Sequence, residues 1–413
     1  MPASVRRYGL RNMDAFQLKI KDEEYQQRCE HLLDAIQRHG YSGVVLFDRD
    51  YIIYYCGFAF IPTERPIAFV MNSKGERGML VPRMEVEHAQ ANALIDHISH
   101  YVEYPDDPHP MVALGKLLDE MSVTGDIGAD QPGYPRIYGY RGPLLSELQT
   151  ARPITVHSIT DDVEDQMMIK SPAEIALLRE SLHWANLALR LLQRYTKPGL
   201  TETDVERRAS DEATRAMVDA IGPVYRGLSM VTAGAYAIYR GQIGRSASIP
   251  HMLANNITFE AGDVMVGEST APMWGYISEL ERTWFLGRPS DAQKRLFDHM
   301  IGAQDTAFKA FETARLTCDI DNAVRAYFAK HELESYWRHH TGHAIGLRSH
   351  EGPFLDRGDK TALKPGMIFT IEPGLYAPEV GGFRHSDMVL VTEGGAELMT
   401  FYPRDLDSMI IPV

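Results

Sequence analysis

The sequence predicts a mixed α/β protein built from two domains, spanning 1–160 and 161–413. Three observations predict it. The chain has 413 residues, more than one hydrophobic core usually organises. Short apolar runs of strand length alternate with helical patterns through the first 160 residues, as in a layered α/β domain. A sharp helix start at Ser171 then opens a second region of long helices and short, glycine-separated strands.

The elements follow in order. Residues 22–39 carry a helical pattern that Gly40 ends, and 43–47 form a buried-strand run. Further apolar runs at 52–55, 67–71 and 78–81 are expected to be strands, and 84–93 and 110–121 to be helices. The polar, acidic stretch 154–165 marks the end of the first domain. Ser171 can cap a helix, Pro172 suits its first position and Glu174 completes a capping box. Lys197-Pro198-Gly199 stops that helix, and Thr201 to Asp204 starts another. Longer helices are expected near 291–313 and 319–331.

Charge and cysteine content restrict the function classes. With 42 basic and 56 acidic residues, the formal charge is −14. This excludes the basic footprint of a nucleic-acid binder and an anionic membrane surface as partner. Three scattered cysteines (Cys29, Cys56 and Cys318) include no C-x-x-C pair, so neither a disulfide framework nor a cysteine zinc site is expected. The first sixteen residues lack the apolar run of a secretory leader, and no stretch approaches the roughly 20 apolar residues of a membrane span. The expectation is a cytoplasmic location.

Chemistry concentrates in the second half, in four polar clusters beside apolar runs. They are Pro250-His251; Gly262–Thr283 with Glu268, Glu279 and Glu281; Thr341 to Pro353 with His343, Arg348 and His350; and Lys364 to Asp387 with Glu372. Singly, each has an ordinary explanation: a strand-end glutamate such as Glu268 is commonly solvated, and a histidine is commonly structural. Glu372 is different, because it follows an apolar strand where a carboxylate tends to be partnered. His339 and His343 have the spacing of a helical zinc pair, but Gly342 and Gly346 argue against a helix there.

The order PH, GD…E…E.ERT, GHAIG…SHEGP, KPGMIFTIEPG, GFRHSD resembles the methionine aminopeptidase, prolidase and creatinase family, the pita-bread fold. The match covers roughly 160–413, and the first half is similar to the amino-terminal domain of the prolidase and creatinase branches. Metal-dependent members hold two ions on two Asp, one His and two Glu. Here the Asp positions carry Glu268 and Glu279, the His is His343 and the first Glu is Glu372. The second, bridging Glu falls on Ser386. Each Glu-for-Asp exchange adds about 1.5 Å of reach, against ligand distances held to about 0.2 Å, and serine cannot bridge two cations. The resemblance therefore implies the metal-free, creatinase-like branch and no cofactor, the alternative being manganese, cobalt, iron or zinc.

Without a metal, four clustered glutamates need another cation or shared protons. An amidinium or guanidinium substrate would supply the charge and pair bidentately with carboxylates. The expected function is thus metal-independent hydrolysis of a small cationic or zwitterionic substrate at a non-peptide C–N bond, foremost ring opening of ectoine. Creatine hydrolysis, metal-dependent Xaa-Pro peptidase activity and a non-catalytic binding module are the alternatives. His251 is the expected proton shuttle. Glu268 or Glu279 would activate water or attack directly, and Glu281 and Glu372 would hold the cationic nitrogens. His343 and His350 would steady the tetrahedral centre, and Arg348 would meet a substrate carboxylate. The resemblance also implies a homodimer.

Overall fold

The computed structural model describes residues 18–230 and 233–413. The amino-terminal stretch read for a leader lies outside them. Two compact units emerge, Ile20–Met167 and Met168–Val413.

In the first unit, α1 (Asp22–His39) begins with three acidic residues, which suit the positive end of the helix dipole, and closes on Gly40 at φ 71. The chain then enters β1 (Gly43–Leu46), α2 (Arg49–Cys56), β2 (Ala68–Asn72) and β3 (Arg77–Pro82). After α3 (Val86–Asn92), β4 (His97–Tyr101) and α4 (Pro110–Glu120) come β5 (Asp126–Ala129), β6 (Thr155–Ser158) and α5 (Thr160–Met167). The sheet order is β4-β3-β2-β1-β5-β6. β2 runs antiparallel to both β1 and β3, and the outer pairs are parallel. Val45, Val70, Leu80, Leu114, Leu118 and Ile127 are among the buried residues that weld sheet and helix into one core.

The run 52–55, expected as a strand, is helical. Asp48 caps α2 by accepting from the backbone N–H groups of Asp50 and Tyr51, and Gly57 ends it at φ 76. A short apolar run cannot itself separate buried strand from buried helix; these two flanking residues do. The acidic stretch 154–165 is likewise ordered, as β6 and the start of α5.

The second unit opens with α6 (Pro172–Tyr195), which carries the expected capping box. Ser171 Oγ accepts from Glu174 N at 3.2 Å, and Ser171 N donates to the Glu174 carboxylate at 2.8 Å. Then follow α7 (Glu202–Ile221), capped by Thr201, β7 (Tyr236–Ile238), β8 (Val264–Thr270) and β9 (Leu280–Leu286). Next come α8 (Asp291–Ala310), α9 (Thr317–Lys330), β10 (Gly342–Ala344), β11 (Glu351–Leu355) and β12 (Ile368–Ile371). The chain ends through β13 (Leu375–Ala377), β14 (Gly381–Phe383), β15 (Asp387–Thr392), β16 (Gly395–Leu398) and β17 (Ile410–Ile411). Two larger sheets form, β11-β10-β12-β15-β16 and β17-β9-β8-β7. Glu281 and Ser386 join them through a reciprocal pair of backbone hydrogen bonds, each 3.1 Å. The polar clusters of the sequence meet at this seam.

Candidate active site

Strand register explains why the acidic side chains converge. Glu268 on β8 lies directly opposite Glu281 on β9, so both project from one face. Glu279 precedes Glu281 by two residues and shares that face by strand alternation. β12 delivers Glu372 at its end, where Glu372 N–H is held by the Thr341 carbonyl at 2.8 Å. β10, between β11 and β12, presents His343. The strand approaches β12 so closely that a Cβ on Gly342 would lie 1.9 Å from the Thr370 carbonyl oxygen, so only glycine fits there.

His343 is fully buried and has one defined role for each ring nitrogen. Nδ1 lies 2.9 Å from the Ala344 carbonyl; a carbonyl only accepts, so Nδ1 carries the proton. Nε2 is left facing the carboxylates, 3.1 Å from Glu372 Oε1 and 3.8 Å from Glu279 Oε2, without an aligned hydrogen bond. One ligand atom from each of Glu279, His343 and Glu372 lies within 4.8 Å of the others. Two carboxylates and a neutral imidazole are a donor set suited to manganese, iron, cobalt or zinc. Ser386 Oγ donates to Glu279 Oε1 at 2.6 Å and fixes that carboxylate's orientation. The residues present therefore fit one divalent ion at this point.

Two arginines neutralise the other glutamates. Arg384, 2% exposed, forks onto Glu281: Nη2 donates to Oε1 at 2.6 Å, and Nε contacts Oε2. The same guanidinium donates to Tyr376 Oη at 3.0 Å and lies 3.7 Å from Glu372 Oε2. Arg240 spans the pair on β8 and β9, with Nε 3.2 Å from Glu268 Oε2 and Nη2 3.6 Å from Glu281 Oε1.

Protonation follows from these neighbours. Burial, reinforced by the charge of Glu372, pushes the Glu279 carboxyl well up, with His343 opposing. Burial also raises Glu268, with Arg240 opposing. In Glu372 burial is outweighed by contact with His343 and by the charges of His343, His339 and Arg384, so its carboxyl stays well below the usual range. Burial opposes charge on His343 as well, but Glu372 and Glu279 raise it to about 9.

The remaining expected residues lie at the rim. His350 is exposed and stacks on His343, with ring centroids 3.8 Å apart. Burial of its ring and the charge of His343 lower it to about 4. His251 is exposed in the loop before β8, and its charge reaches His350. Arg348 is half-buried, and its backbone N–H is bound by Glu351 at 3.1 Å. His339 does not share a metal face with His343; its Nε2 lies 2.8 Å from Tyr376 Oη. Sequence reasoning missed Arg240 and Arg384. Four glutamates in a metal-free reading already demanded cations, and Arg384 stood within a quoted motif, so charge balance was the available signal.

The model of metallopeptidase family M24 matches residues 176–393, and that of the creatinase/prolidase N-terminal domain matches 28–132. The Xaa-Pro dipeptidase of Pyrococcus horikoshii is 30% identical over 385 residues, covering 92% of this chain and 98% of the relative. That of Pyrococcus furiosus is 30% identical over 60% of this chain and 67% of its own. The crystal structure of dipeptidase PepE from Mycobacterium ulcerans superposes with a TM-score of 0.76 at 24% identity, covering 96% and 100% of the two chains.

These findings correct two expectations. Ring opening of ectoine, with creatine hydrolysis behind it, gives way to peptide hydrolysis: a relative aligned over almost the whole chain is an Xaa-Pro dipeptidase. The expectation of no cofactor is overturned too, since the matching model is that of a metallopeptidase and Glu279, His343 and Glu372 converge where they could hold a metal ion. The physical reason is shared. The glutamate excess was assigned to a cationic substrate, but Arg240 and Arg384 already balance Glu268 and Glu281. The added methylene of Glu279 is accommodated by its place ahead of β9, where Ser386 steers it.

Proposed function

The chain belongs to metallopeptidase family M24, and from that premise we propose that it hydrolyses the peptide bond of small Xaa-Pro dipeptides, using a divalent metal ion held by Glu279, His343 and Glu372. The observation that carries this reading is His343: fully buried, its Nδ1 proton committed to a backbone carbonyl, its Nε2 aimed without a hydrogen bond between two carboxylates. A single nitrogen facing two buried carboxylates binds either a proton or a metal ion, and two carboxylates beside it favour the greater charge of a divalent cation.

A divalent ion at that point would polarise the scissile carbonyl and make water acidic enough to attack. The chain's own residues do the rest. Ser386 and the Ala344 carbonyl hold Glu279 and His343 in a fixed orientation, which supports pre-organised catalysis. His350, neutral near pH 7 and stacked at the rim, would donate a hydrogen bond to the oxygen on which charge develops. His251, exposed nearby, would carry the proton to the departing amine. His343, with a smaller contribution from Arg384, favours the ionised form of Glu372, and Arg384 keeps Glu281 paired.

The test is a panel of Xaa-Pro dipeptides assayed for release of free proline, after chelation and after return of manganese, cobalt, iron or zinc. Metal-restored turnover is expected. No turnover of any dipeptide with any of these ions would end the proposal.

A further inference from the structure

Glu268 and Glu281 face each other in register across β8 and β9, yet neither waits for a metal. Arg384 takes both oxygens of Glu281, and Arg240 lies across the two carboxylates at 3.2 and 3.6 Å. Arg240 is held there by an unusual backbone: φ is 51, in the left-handed region that a side-chain-bearing residue seldom adopts. Its side chain is 31% exposed, but its Nε and Glu268 Oε2 are both closed off from water and make no hydrogen bond. The contact is one of charge, held within a buried cluster.

Charge arithmetic limits what else the cluster accepts. With Glu268, Glu279, Glu281 and Glu372 ionised the side chains carry −4; Arg240 and Arg384 return +2, leaving −2. One divalent ion brings the sum to zero. A second would leave +2 in a cluster whose side chains are mostly buried, an uncompensated charge that a buried site does not retain. The carboxylate oxygens left for a metal also suffice for one ion: Glu279, His343 and Glu372 supply three ligand atoms, and Ser386 contributes a neutral hydroxyl already engaged with Glu279.

We propose that the Arg240 guanidinium is a resident cation standing where a second metal ion would otherwise bind Glu268, so that the chain holds one divalent ion. The proposal rests on the reading of Glu279, His343 and Glu372 as a metal site. Arg240 is a positioning residue: it fixes the number of ions and the orientation of Glu268.

The experiment uses the full chain, stripped with chelator and titrated with manganese alone. Bound metal is counted by elemental analysis after dialysis, and its coupling is read by electron paramagnetic resonance. Wild type and Arg240→Lys are expected to bind one ion per chain with the six-line signal of an isolated Mn²⁺. Arg240→Met, which keeps the stem and deletes the charge, is expected to bind a second ion, at least tenfold more weakly than the first, with a spin-coupled signal. Two ions in wild type, or one ion in a folded Arg240→Met chain, would overturn the role of Arg240 while leaving the metal site standing. No ion in wild type would overturn both. Should Arg240→Met fail to fold, the counts for wild type and Arg240→Lys still decide the matter.

Discussion

Replacing Arg384 by methionine removes the cation around which the seam between the two larger sheets of the second unit is organised. Arg384 is 2% exposed. Its guanidinium engages both oxygens of Glu281, Tyr376 Oη at 3.0 Å, the Pro250 carbonyl at 3.2 Å and Gln242 Oε1 at 3.3 Å. Methionine fills much of the stem's volume, so the loss is dominated by charge. Glu281, also 2% exposed, keeps among the described residues the Arg240 contact at 3.6 Å as its remaining ion pair. Deleting one partner of a buried pair costs about 3–5 kcal/mol. For a unit of this size that is roughly 6–20 °C in Tm. Glu281→Gln should cost a similar amount, by stranding Arg384. The double variant Glu281→Gln/Arg384→Met should then lose about 1–3 kcal/mol less than the sum, because the second change removes the group the first one stranded. The assay is urea unfolding followed by far-ultraviolet circular dichroism on all four chains. Losses below about 1 kcal/mol for each single variant, or strict additivity, would refute the claim that this pair is a buried, mutually dependent unit.

Further outcomes follow from the same physical picture. Glu372→Gln should fold normally while losing more than about a hundredfold in manganese affinity, measured by calorimetry, since even outer-sphere changes cost 10–100-fold. Asp130 gives a pH signature. Burial raises its carboxyl to about 7, against the backbone hydrogen bonds it accepts from Phe47 and Asp48. A carboxyl raised on folding favours the native state below its unfolded value, and that contribution is lost as pH rises towards 7. The Tm of Asp130→Asn should therefore gain on wild type between pH 5 and pH 8, and a constant difference would contradict the assignment. Cys29, Cys56 and Cys318 are all buried, and burial lifts the thiols of Cys29 and Cys56 to about 12. Native protein should give no fast reaction with a thiol reagent, whereas denatured protein should titrate three groups.

Much of this was legible in the sequence because local signals agreed with tertiary ones. The Ser171 to Glu174 capping box set the start of α6 to the residue. Glu372 stood out by following an apolar strand, while Glu268, Glu279, Glu281 and His343 became candidates through the four polar clusters and their motif order; the fold brings all five to one seam. What failed did so for identifiable reasons. The run 52–55 was apolar throughout, so periodicity was silent and only Asp48 and Gly57 distinguished helix from strand. β4, β5 and β6 are short, and in β4 and β6 the side chains are mostly polar and partly exposed, which weakens the strand signal. Arg240 and Arg384 were missed because a long side chain reaches a site its own strand or turn does not announce. That omission misdirected the chemistry: with the two guanidinia unseen, the glutamate charge was assigned to a cationic substrate.

The central claim is that Glu279, His343 and Glu372 hold a catalytic divalent ion. Its most direct test is an anomalous difference map from crystals grown with manganese and measured on both sides of the metal's absorption edge. The account predicts one strong peak bounded by Glu279, His343 Nε2 and Glu372. Full-length crystals with no peak among those three residues, while the same preparation cleaves Xaa-Pro dipeptides, would contradict it.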